Sequence, residues 1–226
     1  MVERGDALAL LGRDVGDLER SARDLEVRAG RGHVSFFRCD LEEPDTFAQA
    51  LEAADRSLGG LDAVVVTAGL FATQAALEAD AELRRRLLTV DFAHTVLFCE
   101  EARRLLLQHG RGTLVVFSSV AGERGRKPVV LYGAAKAGLT RYLEALDHRH
   151  HADGLRVVCV KPGFVRTSMT DGLPAPPFAG EPEAVARRVL RAIDLGWPVV
   201  YAPAPWALVM WVIRHLPRAV MRRVGF

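Results

Sequence analysis

Lysine is nearly missing from this sequence: of 30 cationic side chains in 226 residues, only positions 127, 136 and 161 are Lys. The bias toward arginine reads as genomic, and it makes Lys136 conspicuous. Cysteine is scarce as well. Cys39, Cys99 and Cys159 sit in apolar runs without a Cys-x-x-Cys pair, which argues against a disulfide framework and a zinc site. They read as reduced core thiols of a cytoplasmic protein. Charge excess is absent too: the net charge of +2 excludes a dedicated nucleic-acid surface. Met1-Val-Glu-Arg-Gly-Asp6 is charged from the start and does not read as a signal peptide. No repeat, low-complexity tract or linker interrupts the sequence. The length suits one domain with a full core, expected over residues 1–204, with 205–226 as an apolar and basic tail of the same domain.

Apolar runs of strand length alternate with longer segments of helical period. This pattern predicts strands at Ala7–Leu11, Val34–Cys39, Ala63–Thr67, Thr113–Phe117, Val157–Val160 and Val199–Tyr201. It predicts helices at Asp17–Ala29, Pro44–Ser57, across 80–109, at Tyr132–Ala152 and at Pro182–Leu195. Such alternation is the mark of βαβ units and a parallel sheet.

One stretch carries chemistry. Val115-Val-Phe-Ser-Ser119-Val-Ala-Gly122 reads as a buried strand entering a small-residue turn, and Tyr132-Gly-Ala-Ala-Lys136 follows as a helix start. Positions 132 and 136 lie one turn apart on one helix face. A free Tyr, with a pKa of about 10, exchanges protons poorly at neutral pH, and a nearby cation is expected to lower that value. Ser119 stands ready to bond a substrate carbonyl at the strand end. Tyr-x-x-x-Lys alone is common on helices; the strand, the Ser-Ser-x-x-Gly turn and the thirteen-residue interval make the combination specific.

This combination resembles the catalytic signature of the short-chain dehydrogenase/reductase family, and the likeness extends in order across roughly residues 7–205. Asp40, at the end of the second strand, resembles the acidic residue beside the adenine ring. Thr67-Ala68-Gly69 resembles the Asn-Ala-Gly turn that lines the cofactor, with Thr in place of Asn. Pro162-Gly163-Phe164-Val165-Arg166-Thr167 resembles the turn whose Val and Thr hold the nicotinamide carboxamide. The resemblance implies a doubly wound, Rossmann-like parallel sheet and an NAD(P)-dependent oxidoreductase that interconverts a carbonyl and an alcohol. It implies Tyr132 as general acid/base, Ser119 orienting the oxygen, and Lys136 tuning Tyr132 and bonding the nicotinamide ribose. Where the family has an Asn for its proton relay, this sequence has Asp91. An ionised Asp cannot donate a hydrogen bond, so the relay is altered or Lys136 pairs with a carboxylate; a plain helix residue is the other reading. A homodimer or homotetramer is the family's habit.

The family's opening strand, glycine-rich turn and helix have no counterpart here. Ala7–Leu11 then corresponds to the second strand. Arg13 stands where NADP-preferring members place a base for the 2′-phosphate, making NADP the expected cofactor and NAD the alternative; an ordinary turn at Gly12-Arg13-Asp14 is the competing reading. We therefore expect a doubly wound sheet lacking the first βα unit, read from an N-terminally truncated record of a longer protein. Without a central strand, the second and third strands must pair with the fourth or leave edges unpaired.

Three further features invite a role. His148, His150 and His151 crowd a helix end, where a metal site is the sharper reading and a solvated terminus the plainer one. Glu123-Arg-Gly-Arg-Lys127, between Ser119 and Tyr132, suits an anionic substrate group or a solvated charge run. Pro205-Trp-Ala-Leu-Val-Met-Trp-Val-Ile213, followed by Arg214, His215, Arg218, Arg222 and Arg223, is too short to span a bilayer. It fits a helix at a membrane interface, or core and oligomer packing. The tail loosely resembles polyprenyl-phosphate-linked keto-pentose reductases, which implies a hydrophobic or lipid-linked substrate. A catalytically silent relative that serves as a binding or subunit partner is the competing function, favoured by the absent glycine turn, Thr67 and Asp91.

Overall fold

The computed structural model describes residues 1–29 and 34–224. Its strands are β1 (Leu8–Gly12), β2 (Val34–Arg38), β3 (Ala63–Val66), β4 (Gly112–Phe117), β5 (Leu155–Pro162) and β6 (Val199–Ala202). The helices are α1 (Val15–Ala29), α2 (Phe47–Leu58), α3 (Gln74–Ala79), α4 (Ala81–Leu88), α5 (Thr95–Gln108), α6 (Val130–His150), α7 (Pro182–Leu195), α8 (Pro205–His215) and α9 (Arg218–Met221). Each strand pairing is parallel. Apolar residues cover both faces of β4 and β5, as a sheet buried on two sides requires. Val115 lies opposite Val158 and packs with Val160, Val185 and Val189 beneath α7. Val116, opposite Cys159, turns the other way onto Phe47, Phe98, Leu139 and Leu143 of α2, α5 and α6. This is the doubly wound, Rossmann-like arrangement.

The helix expected across 80–109 is divided. Asp80 caps α4 by accepting from the backbone N–H groups of Glu82 and Leu83, and a π-helical segment over Thr89–His94 separates α4 from α5. Thr95 Oγ1 donates to Val90 O at 2.7 Å, a back-bond across five residues that fits the wider turn. By contrast α7 follows the expected Pro182–Leu195, with Pro at its first turn and left-handed Gly196 (φ 67°) after its end, as local signals dictate.

The strands form two sheets, β1–β2 and β3–β4–β5–β6. Between them lies a cleft of about 750 Å3 lined by Leu8–Leu11 on one side and Ala63–Ala68 on the other. Val65, in mid-strand, is 36% exposed. Of the two outcomes expected for such a sheet, the structure has unpaired edges rather than direct pairing of β1 with β3. The β1–β2 unit packs against α2 and is strapped across the cleft by Arg4 and Asp194 at 2.8 Å, an exposed pair worth at most about 1 kcal/mol. Because the strands run parallel, Arg13, Asp40, Thr67, Ser119 and Gly163 emerge at one edge, the C-terminal edge where open α/β sheets bind ligands.

Candidate active site

Ser118 and Ser119 leave β4 on opposite sides, continuing its alternation. Ser118 Oγ donates to Lys136 O at 3.0 Å and bonds Thr140 Oγ1 at 2.7 Å, tying the strand end to α6. Ser119 Oγ accepts from Ala121 N at 3.1 Å, and its hydroxyl acts on the Tyr132 phenol, lowering its pKa against the effect of burial. The turn can press onto α6 only because its residues are small. A Cβ on Gly122 would lie 2.7 Å from backbone atoms of Lys136 and Ala137, and one on Gly133 would lie 2.9 Å from Ala121 O. Gly122→Ala is therefore expected to cost about 3 kcal/mol, since neither the methyl nor the backbone it meets can rotate away. Urea unfolding checks this, and a midpoint matching wild type would show that the contact is loose.

Tyr132 stands on the first turn of α6, its ring edge-on to Phe71 with centroids 5.2 Å apart. Lys136 Nζ is buried and lies 5.7 Å from the centre of that ring. Asp91, fully buried, is aimed inward by the π-helical segment. Its Oδ1 accepts from Leu70 N at 2.7 Å, while Oδ2 lies 3.8 Å from Lys136 Nζ and has no hydrogen-bond partner. Gly69 explains itself here: a Cβ would stand 3.0 Å from Asp91 Oδ1 and 3.3 Å from Lys136 Nζ.

The electrostatics differ from the sequence expectation. Burial pushes the Tyr132 phenol up from its ordinary value, the charge of Asp91 adds to that, and the Ser119 hydroxyl pulls it partly back. Burial likewise lowers the Lys136 ammonium, against the attraction of Asp91, and raises the Asp91 carboxyl, against Lys136. Burial prevails over any lowering of Tyr132 by Lys136, whose charge is matched by the buried carboxylate of Asp91.

The remaining expected positions fall into separate groups. Arg13 lies exposed just past β1, and Asp40 accepts from Glu42 N at 3.0 Å just past β2. Arg86, which sequence reasoning missed, grips Glu42 at 2.8 Å, and it, with Arg13 and His94, holds that carboxyl below its usual range. Ala68 is exposed beside Gly69. The Pro162-Gly163 turn is covered by Trp206, whose ring lies where a Cβ of Gly163 would be. Val165 bridges to Gly180, and exposed Thr167 caps the short turn Ser168–Thr170. His150 pairs with Asp153 at 2.9 Å and His151 with Asp147 at 3.7 Å at the helix end. Glu123 corrects the reading of its loop as a solvated run: its buried side chain pairs with Lys161, itself nearly buried. Phe71, Ser118 and Trp206 also went unread, although the Ser118-Ser119 doublet at a strand end carried the signal for two opposite roles.

The family model described as short chain dehydrogenase matches residues 1–176. The chain belongs to the short-chain dehydrogenase/reductase family. An uncharacterized oxidoreductase of Mycobacterium tuberculosis strain H37Rv is 33% identical over 222 residues, covering 97% of this chain and 88% of that protein. A cis-4-hydroxycyclohexanecarboxylate dehydrogenase of Sinomonas cyclohexanicum is 33% identical over 179 residues, covering 77% and 70%. A short-chain type dehydrogenase/reductase from Mycobacterium ulcerans has the same fold, with a TM-score of 0.80 at 24% identity over 89% of this chain and 80% of that one. As a short-chain dehydrogenase/reductase, the protein is an NAD(P)-dependent oxidoreductase with a small-molecule substrate. Among the described residues no helix is long and apolar enough to cross a membrane.

Proposed function

We propose that the protein interconverts a carbonyl and an alcohol, with Tyr132 moving the proton at the substrate oxygen. The observation that carries this reading is the convergence of Ser119, Tyr132 and Lys136 at the C-terminal edge of the sheet, with the Ser119 hydroxyl acting on the phenol and Lys136 buried beside its ring. Ser119 donates a hydrogen bond to the reacting oxygen and fixes it in front of the phenol. Asp91 positions Lys136. The residues present suit the nicotinamide and its ribose: Lys136 Nζ and Asp91 lie against Gly69, Asp91 Oδ2 has no hydrogen-bond partner, and the Tyr132 ring lies beside Lys136. Pro162, Gly163, Val165 and Thr167 would border the carboxamide, with Ala68 and Asp40 along the rest of the dinucleotide. NAD(P), when bound, supplies or accepts the hydride at the substrate carbon.

Arg13, exposed at the end of β1, favours NADP over NAD through its charge toward a 2′-phosphate. The Sinomonas relative, a dehydrogenase by name, supports the same class of reaction. Oxidation of NADPH and NADH by a panel of ketones tests the reading: NADPH is expected to give the higher kcat/KM, by about tenfold or more, and Arg13→Ala to erase the preference. No turnover with either coenzyme would favour a binding role instead.

The tail supports a hydrophobic or lipid-linked substrate. Met210 and Ile213 of α8 pack on Val120 beside the site, while Leu208 and Trp211, 68% and 57% exposed, face outward with Arg214, Arg218, Arg222 and Arg223 following. Peripheral contact with an anionic membrane suits this face. Sedimentation with phosphatidylglycerol vesicles, but not phosphatidylcholine vesicles, is expected, and is expected to be lost in the double variant Leu208→Ser, Trp211→Ser. Equal binding by wild type and variant would remove the membrane role. Exposed Phe92 and Leu97 offer a subunit contact for a homodimer or homotetramer.

A further inference from the structure

The loop between Ser119 and Tyr132 holds a cation that the fold does not use. Glu123, its one acidic residue, is committed to Lys161 and stands 4.0 Å from Arg214. Arg124 donates to Leu216 O at 2.7 Å and anchors the tail. Arg126 has no such employment: its Nε is buried and has no hydrogen-bond partner. Other arginines of the chain, such as Arg38 with Glu43 and Arg86 with Glu42, are matched to carboxylates. Arg126 as a whole is half-buried, yet a guanidinium with a buried, unpartnered N–H destabilises the fold that contains it, and burial alone draws the Arg126 pKa below its ordinary value. Such a group is retained where a ligand supplies the missing partner.

Its position agrees with that. One end of the loop is pressed onto α6 at Gly122, against Lys136 and Ala137, and the other runs into α6 at Val130. Val129 N donates to Arg126 O at 3.3 Å, so these two residues close a turn of less than about 7 Å. Tyr132 lies three residues beyond Val129, a further step of about 5–6 Å along a helix. Arg126 is thus within roughly 13 Å of Tyr132 by backbone, a span that an arginine side chain and a small substrate cover together.

We propose that Arg126 is a specificity-determining residue that binds an anionic group, a carboxylate or phosphate, on the substrate whose oxygen meets Ser119 and Tyr132. This inference rests on the oxidoreductase reading of the site and adds a substrate class to it. Arg suits the task because its planar fork matches the two oxygens of either group.

The test compares wild type, Arg126→Met and Arg126→Lys as full chains. Calorimetric binding of 4-oxocyclohexanecarboxylate without coenzyme is expected to weaken about tenfold or more in Arg126→Met and to recover in part in Arg126→Lys. The neutral shape match 4-methylcyclohexanone is expected to bind all three alike. In turnover with NADPH the loss falls on KM for the acid ketone rather than on kcat. Arg126→Met is also expected to melt no lower than wild type, since it removes a half-buried charge whose Nε has no partner; a structural arginine would show the opposite. Equal losses on both ketones, no loss on the acid, or a wild type that does not bind the acid would overturn the assignment. If wild type binds the acid yet reduces neither ketone, the reaction proposed above fails, and the calorimetric comparison alone decides the role of Arg126. A phosphate-bearing ketone in the same assay separates the two anion classes by relative affinity.

Discussion

Tyr132→Phe is expected to lower kcat by about 10²–10⁴-fold, the range that general acid/base catalysis supplies, with little change in thermal stability. The substitution removes one oxygen and leaves the ring where it packs, edge-on to Phe71 and against Leu77, Leu87 and Ala135. Among the described residues, this cluster holds no other phenol or imidazole to move the proton. The pH dependence follows from the raised phenol. Burial and Asp91 hold Tyr132 above its ordinary value, so it remains protonated through neutrality and serves as a donor for carbonyl reduction. Alcohol oxidation needs the phenolate, whose fraction grows tenfold per pH unit below the pKa. Oxidation is therefore expected to climb steadily into the alkaline range. Steady-state rates in both directions between neutral and alkaline pH check this. A Phe variant that keeps more than a tenth of wild-type kcat would assign the proton to another group.

Asp91→Asn is expected to move the rise of oxidation to lower pH and to increase its rate at neutral pH. The sign follows from the causes at Tyr132: the Asp91 charge raises the phenol, so replacing the carboxylate by a neutral amide lets it fall. Each unit of that fall multiplies the phenolate at neutral pH by about ten. The amide oxygen can still accept from Leu70 N, as Oδ1 does at 2.7 Å, so the inward packing persists. Lys136 loses its matching charge, and because burial already lowers it, its ammonium is expected to release its proton more readily. The pH profile of kcat separates this positioning role from a structural one. A profile unchanged from wild type, in a variant of normal stability, would show that Asp91 does not set the Tyr132 pKa.

The parts of this site that could be read in advance are those built from neighbours in sequence. Ser119, Tyr132 and Lys136 lie on one strand, turn and helix, and their meeting follows from strand alternation and the pitch of α6. The limits of α7 were equally readable, because Pro182 and Gly196 act on the backbone where they stand. Asp91 was readable as a departure from the family pattern but not as the stronger influence on Tyr132. Its side chain reaches the site only because the π-helical segment over Thr89–His94 re-aims it, and its partner Leu70 N comes from a distant loop. Glu123 read as solvated since its charged neighbours did, yet folding places Lys161, 38 residues away, against it.

The sequence by itself, then, determined the resemblance to the family, the alternating α/β order and which residues are candidates for proton transfer, because backbone geometry over a few residues fixes which side chains share a face. Tertiary structure alone decided the balance of charge around Tyr132, the buried, partnerless Nε of Arg126 and the cleft between β1 and β3. Each of these depends on which distant groups are buried together, and burial strengthens or orphans a charge in a way no short window of sequence records.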